Sequence, residues 1–104
     1  MTNNDAPVSL YGFLTPKPER AAEVRDILTA LVEPSRSEPG NLAYHLHEQQ
    51  DGRFFLYEVW RSQADLDAHN THPPLQRFLA AIDDYLVAPP EAYAGGMISA
   101  YPAG

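Results

Sequence analysis

Residues 54–60, FFLYEVW, place bulky apolar side chains on both faces of one strand. Alternation sets Phe54, Leu56 and Trp60 on one side, and Phe55, Tyr57 and Val59 on the other. Helices can cover only one of those faces. Leaving the second in water would expose an apolar patch larger than monomers usually tolerate. The run also carries one acid, Glu58, ends at the chain's only tryptophan, Trp60, and precedes a short helix ending on His69. Soluble proteins seldom place Trp, Glu and His together on a half-buried surface unless something binds there.

The flanking segments supply the rest of a sheet and its helices. Val8 to Thr15 has strand composition and is broken by PKP. Pro18 suits a first helical turn, with Glu19 and Glu23 near its positive end. Val24, Ile27, Leu28, Leu31 and Val32 then form the apolar stripe of a helix with one buried face. Pro34 is expected to end or kink that helix, and SEPGN reads as a turn. Leu42 to Gln49 alternates in polarity, and QDGR signals a hairpin returning through Phe54 to Arg61. Ser62 and Asp65 resemble a capping box that opens a short helix to about Asn70. After THPP, a second stripe runs through Leu75, Phe78, Leu79, Ile82 and Leu86 until Pro89 and Pro90 close it. Ala92 to Tyr101 reads as a last strand, with a bulge expected at Gly95-Gly96.

This order, βαββαβ, predicts an α+β, ferredoxin-like fold: a four-stranded antiparallel sheet with helices on one face. The whole chain, residues 1–104, is expected to be a single domain with an ordered core of about residues 8–101. Face-to-face packing of two such sheets in a homodimer is the economical way to cover the second apolar face.

Composition excludes several function classes. A formal net charge of −7, with seven scattered Lys and Arg, argues against nucleic acid and anionic membrane as partners. No apolar stretch approaches a membrane span, and MTNNDAPVS lacks the features of a signal peptide, so a cytoplasmic location is expected. The absence of cysteine removes disulfides, thiolate catalysis and Cys-based zinc sites. No Gly-rich phosphate loop or nucleophile elbow is present, which argues against a nucleotide cofactor.

If the hairpin closes on a two-residue turn at Asp51-Gly52, His45 faces Glu58, His47 faces Leu56 and Ala43 faces Trp60. A one-residue bulge would send both histidines to the opposite face. Beneath helices, a His45–Glu58 pair would either relay a proton near neutral pH or act simply as a satisfied polar pair. His45, His47 and Glu58 also have the composition of a two-His, one-carboxylate metal site, but no fourth ligand is apparent and none is assigned. Trp60 is equally readable as core, and Tyr11, Tyr44 and Tyr57 as packing residues or hydrogen-bond donors to a ligand.

The segment EPGNLAYHLHEQQDGRFFLYEVWRSQADLDAH resembles the antibiotic-biosynthesis monooxygenase family. The matching features are the Glu38-Pro39-Gly40 turn, Tyr44, the Phe-x-x-x-Glu-x-Trp run ending at Trp60, and His69. The resemblance implies a dimeric α/β-barrel with a hydrophobic pocket between sheet and helices. It implies oxidation of small quinols or phenols by O₂ without metal, flavin or haem. Carried over by position, Trp60 would line the pocket, while His69 and Glu58 would orient or deprotonate the substrate. Tyr44, Tyr11, His45 and Leu56 are the candidate substrate contacts. Two departures stand out: Pro74 occupies the position of a further His in many relatives, and Leu56 that of an Asn in anthrone-oxidising members. The haem-degrading branch has a second Trp where His69 stands, so haem oxygenation is not implied. The same pocket would also suit an isomerase or lyase of a small carbonyl compound, or a silent dimeric binder of hydrophobic metabolites.

Overall fold

The computed structural model describes residues 6–99. Its four strands are β1 (Val8–Leu14), β2 (Asn41–Glu48), β3 (Phe54–Trp60) and β4 (Glu91–Gly96). The helices are α1 (Ala21–Arg36), α2 (Gln63–His69), α3 (Pro73–Ala80) and α4 (Ile82–Tyr85), with a 3₁₀ turn at Pro18–Arg20 leading into α1. The sheet is wholly antiparallel in the order β2-β3-β1-β4, the ferredoxin-like plan. β3, apolar on both faces, is one of the two central strands, as its composition requires.

The helix-facing side of the sheet holds Leu10, Gly12, Leu14, Tyr44, Leu46, Phe54, Leu56, Glu58 and Trp60. α1 presses Val24, Leu28, Leu31 and Ser35 onto it, while Ile27 and Val32 of the stripe read from spacing are only partly buried at its margins. Two buried clusters result. One gathers Leu14, Val24, Leu28, Leu31, Phe54, Phe78 and Leu86. The other gathers Tyr44, Trp60 and Leu66, and Leu56 packs against both. The opposite side carries a band of rings: Tyr11 lies 6.3 Å from Tyr57 and 6.2 Å from Tyr93, and Phe13 lies 5.2 Å from Phe55.

Several expectations are corrected. Pro34 does not end α1, which continues to Arg36. In the final turn a proline forfeits only one backbone bond, and the Ser35 hydroxyl donates to the Leu31 carbonyl at 2.6 Å. The second long stripe is broken at Ala81 (φ −108°, ψ 15°) into α3 and α4, and α4 ends four residues before Pro89. Gly95 and Gly96 form no bulge: they pair regularly with Ser9 and Val8. Tyr101, the expected end of the last strand, lies outside the described residues.

The hairpin register is also different. Gln49 N–H donates to Arg53 O at 2.8 Å, and Gly52 N–H donates to Gln49 O at 3.0 Å with φ +89°. Three residues therefore form the loop, with glycine in the left-handed position that such a loop demands. The pairing becomes Tyr44 with Glu58 and His45 with Tyr57. A shift of one residue reverses every side chain on β2 relative to the two-residue closure. A register shift between Asn41 and Ala43 then sets Asn41, and not the expected Ala43, opposite Trp60.

Candidate active site

Glu58 owes its position to the alternation of β3, which points it toward the helices between Leu56 and Trp60. It is 2% exposed. The Trp60 indole Nε1–H donates to Glu58 Oε1 at 2.9 Å, a bond between residues two apart on one strand face. Burial pushes the Glu58 carboxyl above its usual range. The Trp60 hydrogen bond and nearby His69 oppose that shift, and the Glu38 carboxylate adds to it.

His69 arrives from the other direction, at the C-terminal end of α2. That helix begins where expected: the Ser62 hydroxyl accepts from the Asp65 backbone N–H at 3.2 Å. Seven residues later its last turn delivers an imidazole that is only 3% exposed. The ring lies 4.6 Å from the Trp60 ring and 5.8 Å from that of Tyr44, centroid to centroid. Its Nε2 is 3.5 Å from Glu58 Oε1. Its Nδ1 is 2.8 Å from Glu38 Oε2.

Glu38 was not among the residues singled out as chemically active, although its turn was recognised. In EPGN, Asn41 N–H donates to the Glu38 carbonyl at 3.2 Å, and Gly40 has φ +83°. This is a type II turn with proline and glycine where that turn wants them. It folds the Glu38 carboxylate inward, leaving its side chain 8% exposed. The other carboxylate oxygen, Oε1, is 3.4 Å from Nε2 of His72, whose side chain is 44% exposed at the start of α3.

A cavity of about 200 Å³ opens between the sheet and helices α1, α3 and α4. Leu28, Leu31, Leu56, Leu75 and Phe78 make its wall predominantly apolar. Its polar members include Glu58, Tyr44, Asn70 and Glu91, and among the described residues no Lys, Arg or His lines it. Tyr44 is almost fully buried, and burial together with the Glu58 charge raises its phenol well above the usual range. Tyr44 therefore holds its proton and can donate a hydrogen bond into the cavity at any physiological pH.

The sequence-predicted site residues thus divide. Glu58, Tyr44 and Leu56 line the cavity. Trp60 and His69 do not line it. Both stand behind Glu58, so the expectation that Trp60 forms the wall is corrected: with 0% exposure its face is used up by His69 and its N–H by Glu58. His45 is also corrected. It pairs with Tyr57 on the far side of the sheet, its Nδ1 is 3.4 Å from an Arg36 amino group, and it meets neither Glu58 nor the cavity. With it goes the grouping of His45, His47 and Glu58. Tyr11 borders the cavity, but its ring lies between those of Tyr57 and Tyr93, tilted to both, on the opposite face.

The sequence profile of the antibiotic biosynthesis monooxygenases matches residues 7–81, a span that includes every member of this cluster. The chain belongs to the antibiotic biosynthesis monooxygenase family. Protein sll1783 of Synechocystis is 36% identical over 89 residues, 84% of this chain and 60% of that protein, so the chain spans under two-thirds of this relative. Rv0793 of Mycobacterium tuberculosis, which bears the name of a candidate monooxygenase, is 32% identical over 85 residues, 81% of this chain and 84% of its own. The Rv0793 structure superposes with a TM-score of 0.86, covering 93% of this chain and all of that one at 28% identity. PA3566 of Pseudomonas aeruginosa superposes at 0.77, also at 28% identity, over 92% of this chain and 96% of that one. Membership and monooxygenase-like relatives agree with the resemblance carried by residues 38–69. Among the described residues, no helix is long and apolar enough to cross a membrane.

Proposed function

We propose that this family member oxidises a small neutral quinol or phenol with O₂, using Glu58 as the base that ionises the substrate. The observation that carries the reading is a buried carboxylate with a raised pKa on the wall of an otherwise apolar cavity. A carboxyl tuned upward is a stronger base than one in water, and a water-poor wall keeps its proton transfer directed at the ligand. Tyr44 supplies a hydrogen-bond donor to the oxyanion that results. Trp60 and His69 hold Glu58 in place from behind.

The chemistry balances without a further redox partner. Glu58 takes the O–H proton, and the electron-rich phenolate reduces O₂ by one electron. The resulting pair joins at a ring C–H carbon as a peroxide anion, which takes the proton back from Glu58 to become a hydroperoxide. Loss of water from that carbon leaves a carbonyl, so one O₂ yields one quinone oxygen and one H₂O. The lining favours uncharged substrates, because no cationic side chain among the described residues lines it to offset a phosphate or carboxylate.

The working unit we propose is a homodimer joined through the aromatic sheet face of Tyr11, Phe13, Phe55 and Tyr57. That many rings on a face with no helix over it would otherwise remain in water. Oxygen uptake over a quinol and naphthol panel, in chelator-treated buffer, tests the reaction. One O₂ consumed per quinone formed, lost in Glu58→Gln, is the expected result. Turnover that persists under argon would replace this reading with isomerisation, and tight binding without turnover would replace it with a binder. Sedimentation of the wild type and of Tyr57→Glu tests the dimer.

A further inference from the structure

We propose that His69, held by Glu38, stores the substrate's proton while O₂ is reduced and returns it through Glu58 to the peroxide anion. This inference rests on Glu58 being the base of the proposed reaction.

The imidazole stands between two carboxylates. Its Nδ1 is 2.8 Å from Glu38 Oε2, and its Nε2 is 3.5 Å from Glu58 Oε1. The side chains of Glu58 and His69 are each 3% exposed and that of Glu38 is 8% exposed, so the three groups face one another more than solvent. The other groups around the imidazole are the Trp60 indole, the Tyr44 ring and His72, whose Nε2 is 3.4 Å from Glu38 Oε1. A carboxylate can only accept, so Glu38 fixes the neutral tautomer: Nδ1 carries the hydrogen, and Nε2 turns a lone pair toward Glu58. An imidazole held in this way is a base with its orienting partner. Glu38 is thereby a positioning residue, acting on the reaction through His69.

The proposed reaction separates in time the loss of a proton from its return. The phenolate has to survive until it has passed an electron to O₂, and the peroxide anion that reclaims the proton exists only afterwards. A proton left on Glu58 faces the phenolate directly and quenches it. Among the described residues no Lys, Arg or His lines the cavity to take it instead. His69 stands one contact further back, outside the lining. With the proton there, Glu58 is again a carboxylate beside the phenolate, and its negative charge favours electron loss from the ring.

Each step moves one proton, and none leaves the site. Glu58 takes the O–H proton, turns its carboxyl and passes the proton to His69 Nε2. The imidazolium then has a carboxylate at each nitrogen. Once the peroxide anion has formed, Nε2 gives the proton back to Glu58, which delivers it to the peroxide. The imidazole is left neutral in its starting tautomer. Transfer requires the 3.5 Å separation to shorten by about half an ångström, a tightening that active-site contacts undergo when substrate binds.

Histidine labelled with nitrogen-15 reads the store directly in the intact protein. The probe is 2-naphthol, bound under argon at about pH 8, where free naphthol keeps its proton. Naphtholate is followed by absorbance, and the His69 resonances are those lost in His69→Gln. In the wild type, His69 is expected as the Nδ1–H tautomer without ligand and as imidazolium once bound naphtholate forms. In Glu38→Gln the amide still accepts from Nδ1 but supplies no charge. The imidazolium signal should disappear, and bound naphtholate and kcat with the best quinol should each fall about tenfold or more. Unmoved resonances of His45 and His47, on the far side of the sheet, report that this variant is folded. A neutral His69 beside bound naphtholate would overturn the store and leave Glu58 as the base. So would an imidazolium already present in the free protein, or wild-type kcat in folded Glu38→Gln. Absence of naphtholate in the wild type would instead overturn the reaction, and the store with it.

Discussion

The Trp60 indole is held 2.9 Å from Glu58 Oε1, and the two residues stand on one face of one strand. Because a donated hydrogen bond favours the charged carboxylate, it restrains a pKa that burial would lift further. Trp60 therefore meets the cavity only through Glu58.

Trp60→Phe removes that donor and a fully buried ring system. A charge-assisted bond contributes roughly 1.5–3 kcal/mol, and one pKa unit corresponds to about 1.4 kcal/mol. The acid limb of the kcat/KM profile should accordingly move up by about one pH unit. The activity plateau should survive at alkaline pH. An unmoved limb in a folded variant would show that the bond does not tune the base.

Glu58→Gln separates activity from stability. Removing a general base is expected to lower kcat by about 10²- to 10⁴-fold. The folded-state pKa of Glu58 is raised, so its stabilising contribution is present below the unfolded value and lost as pH rises through the folded one. At pH 8 the wild type bears the cost of a buried carboxylate, and the isosteric amide does not. The variant should therefore be more stable at pH 8, by about 1 kcal/mol, and lose that advantage near pH 4. Urea titrations at both pH values check the sign.

The hairpin shows what the sequence could and could not yield. Alternation in β3 assigned Phe54, Leu56, Glu58 and Trp60 to one face, because the period of a strand is fixed by its backbone. The partner strand was misplaced because QDGR fits a two-residue or a three-residue loop, and a single residue decides which face of β2 turns inward. Tyr44 inherited the place expected of His45. The helix ending on His69 was legible from its cap, but the direction of the imidazole was not. That depends on Glu38, a residue remote in sequence whose turn was recognised without its carboxylate being assigned a role. Trp60 was expected at the cavity wall since an indole and a pocket often coincide, yet its N–H and ring face were already committed to neighbours.

Tyr11→Phe tests the face assignment. Its ring lies tilted against those of Tyr57 and Tyr93 beyond the sheet. Removing one oxygen there should leave kcat within about twofold, in contrast to the loss expected from a true acid–base group. Tyr44→Phe is the paired control on the inner face. Because Tyr44 lines the cavity and holds its proton, its loss should weaken the proposed oxyanion stabilisation and lower kcat about tenfold or more.

Two glycines with positive φ make a matched comparison. Gly40 has φ +83° and Gly52 has φ +89°, so alanine is strained at both. They differ in surroundings. A Cβ on Gly52 meets nothing within 4 Å, whereas one on Gly40 would come within 2.3 Å of the Asp65 carboxylate. Asp65 cannot yield freely, since Arg61 and the Ser62 hydroxyl both hold it and its backbone N–H is the one that Ser62 caps. Gly52→Ala should cost about 1 kcal/mol from backbone strain alone. Gly40→Ala should cost about 2–3 kcal/mol, because the clash adds to the strain and loosens the start of α2. The same substitution moves the turn that carries Glu38 and the helix that carries His69, so kcat should fall with stability only at Gly40. Chemical denaturation and oxygen uptake on the two variants read both effects, and equal losses at the two sites would mean that the Glu38 turn does not depend on its close approach to α2.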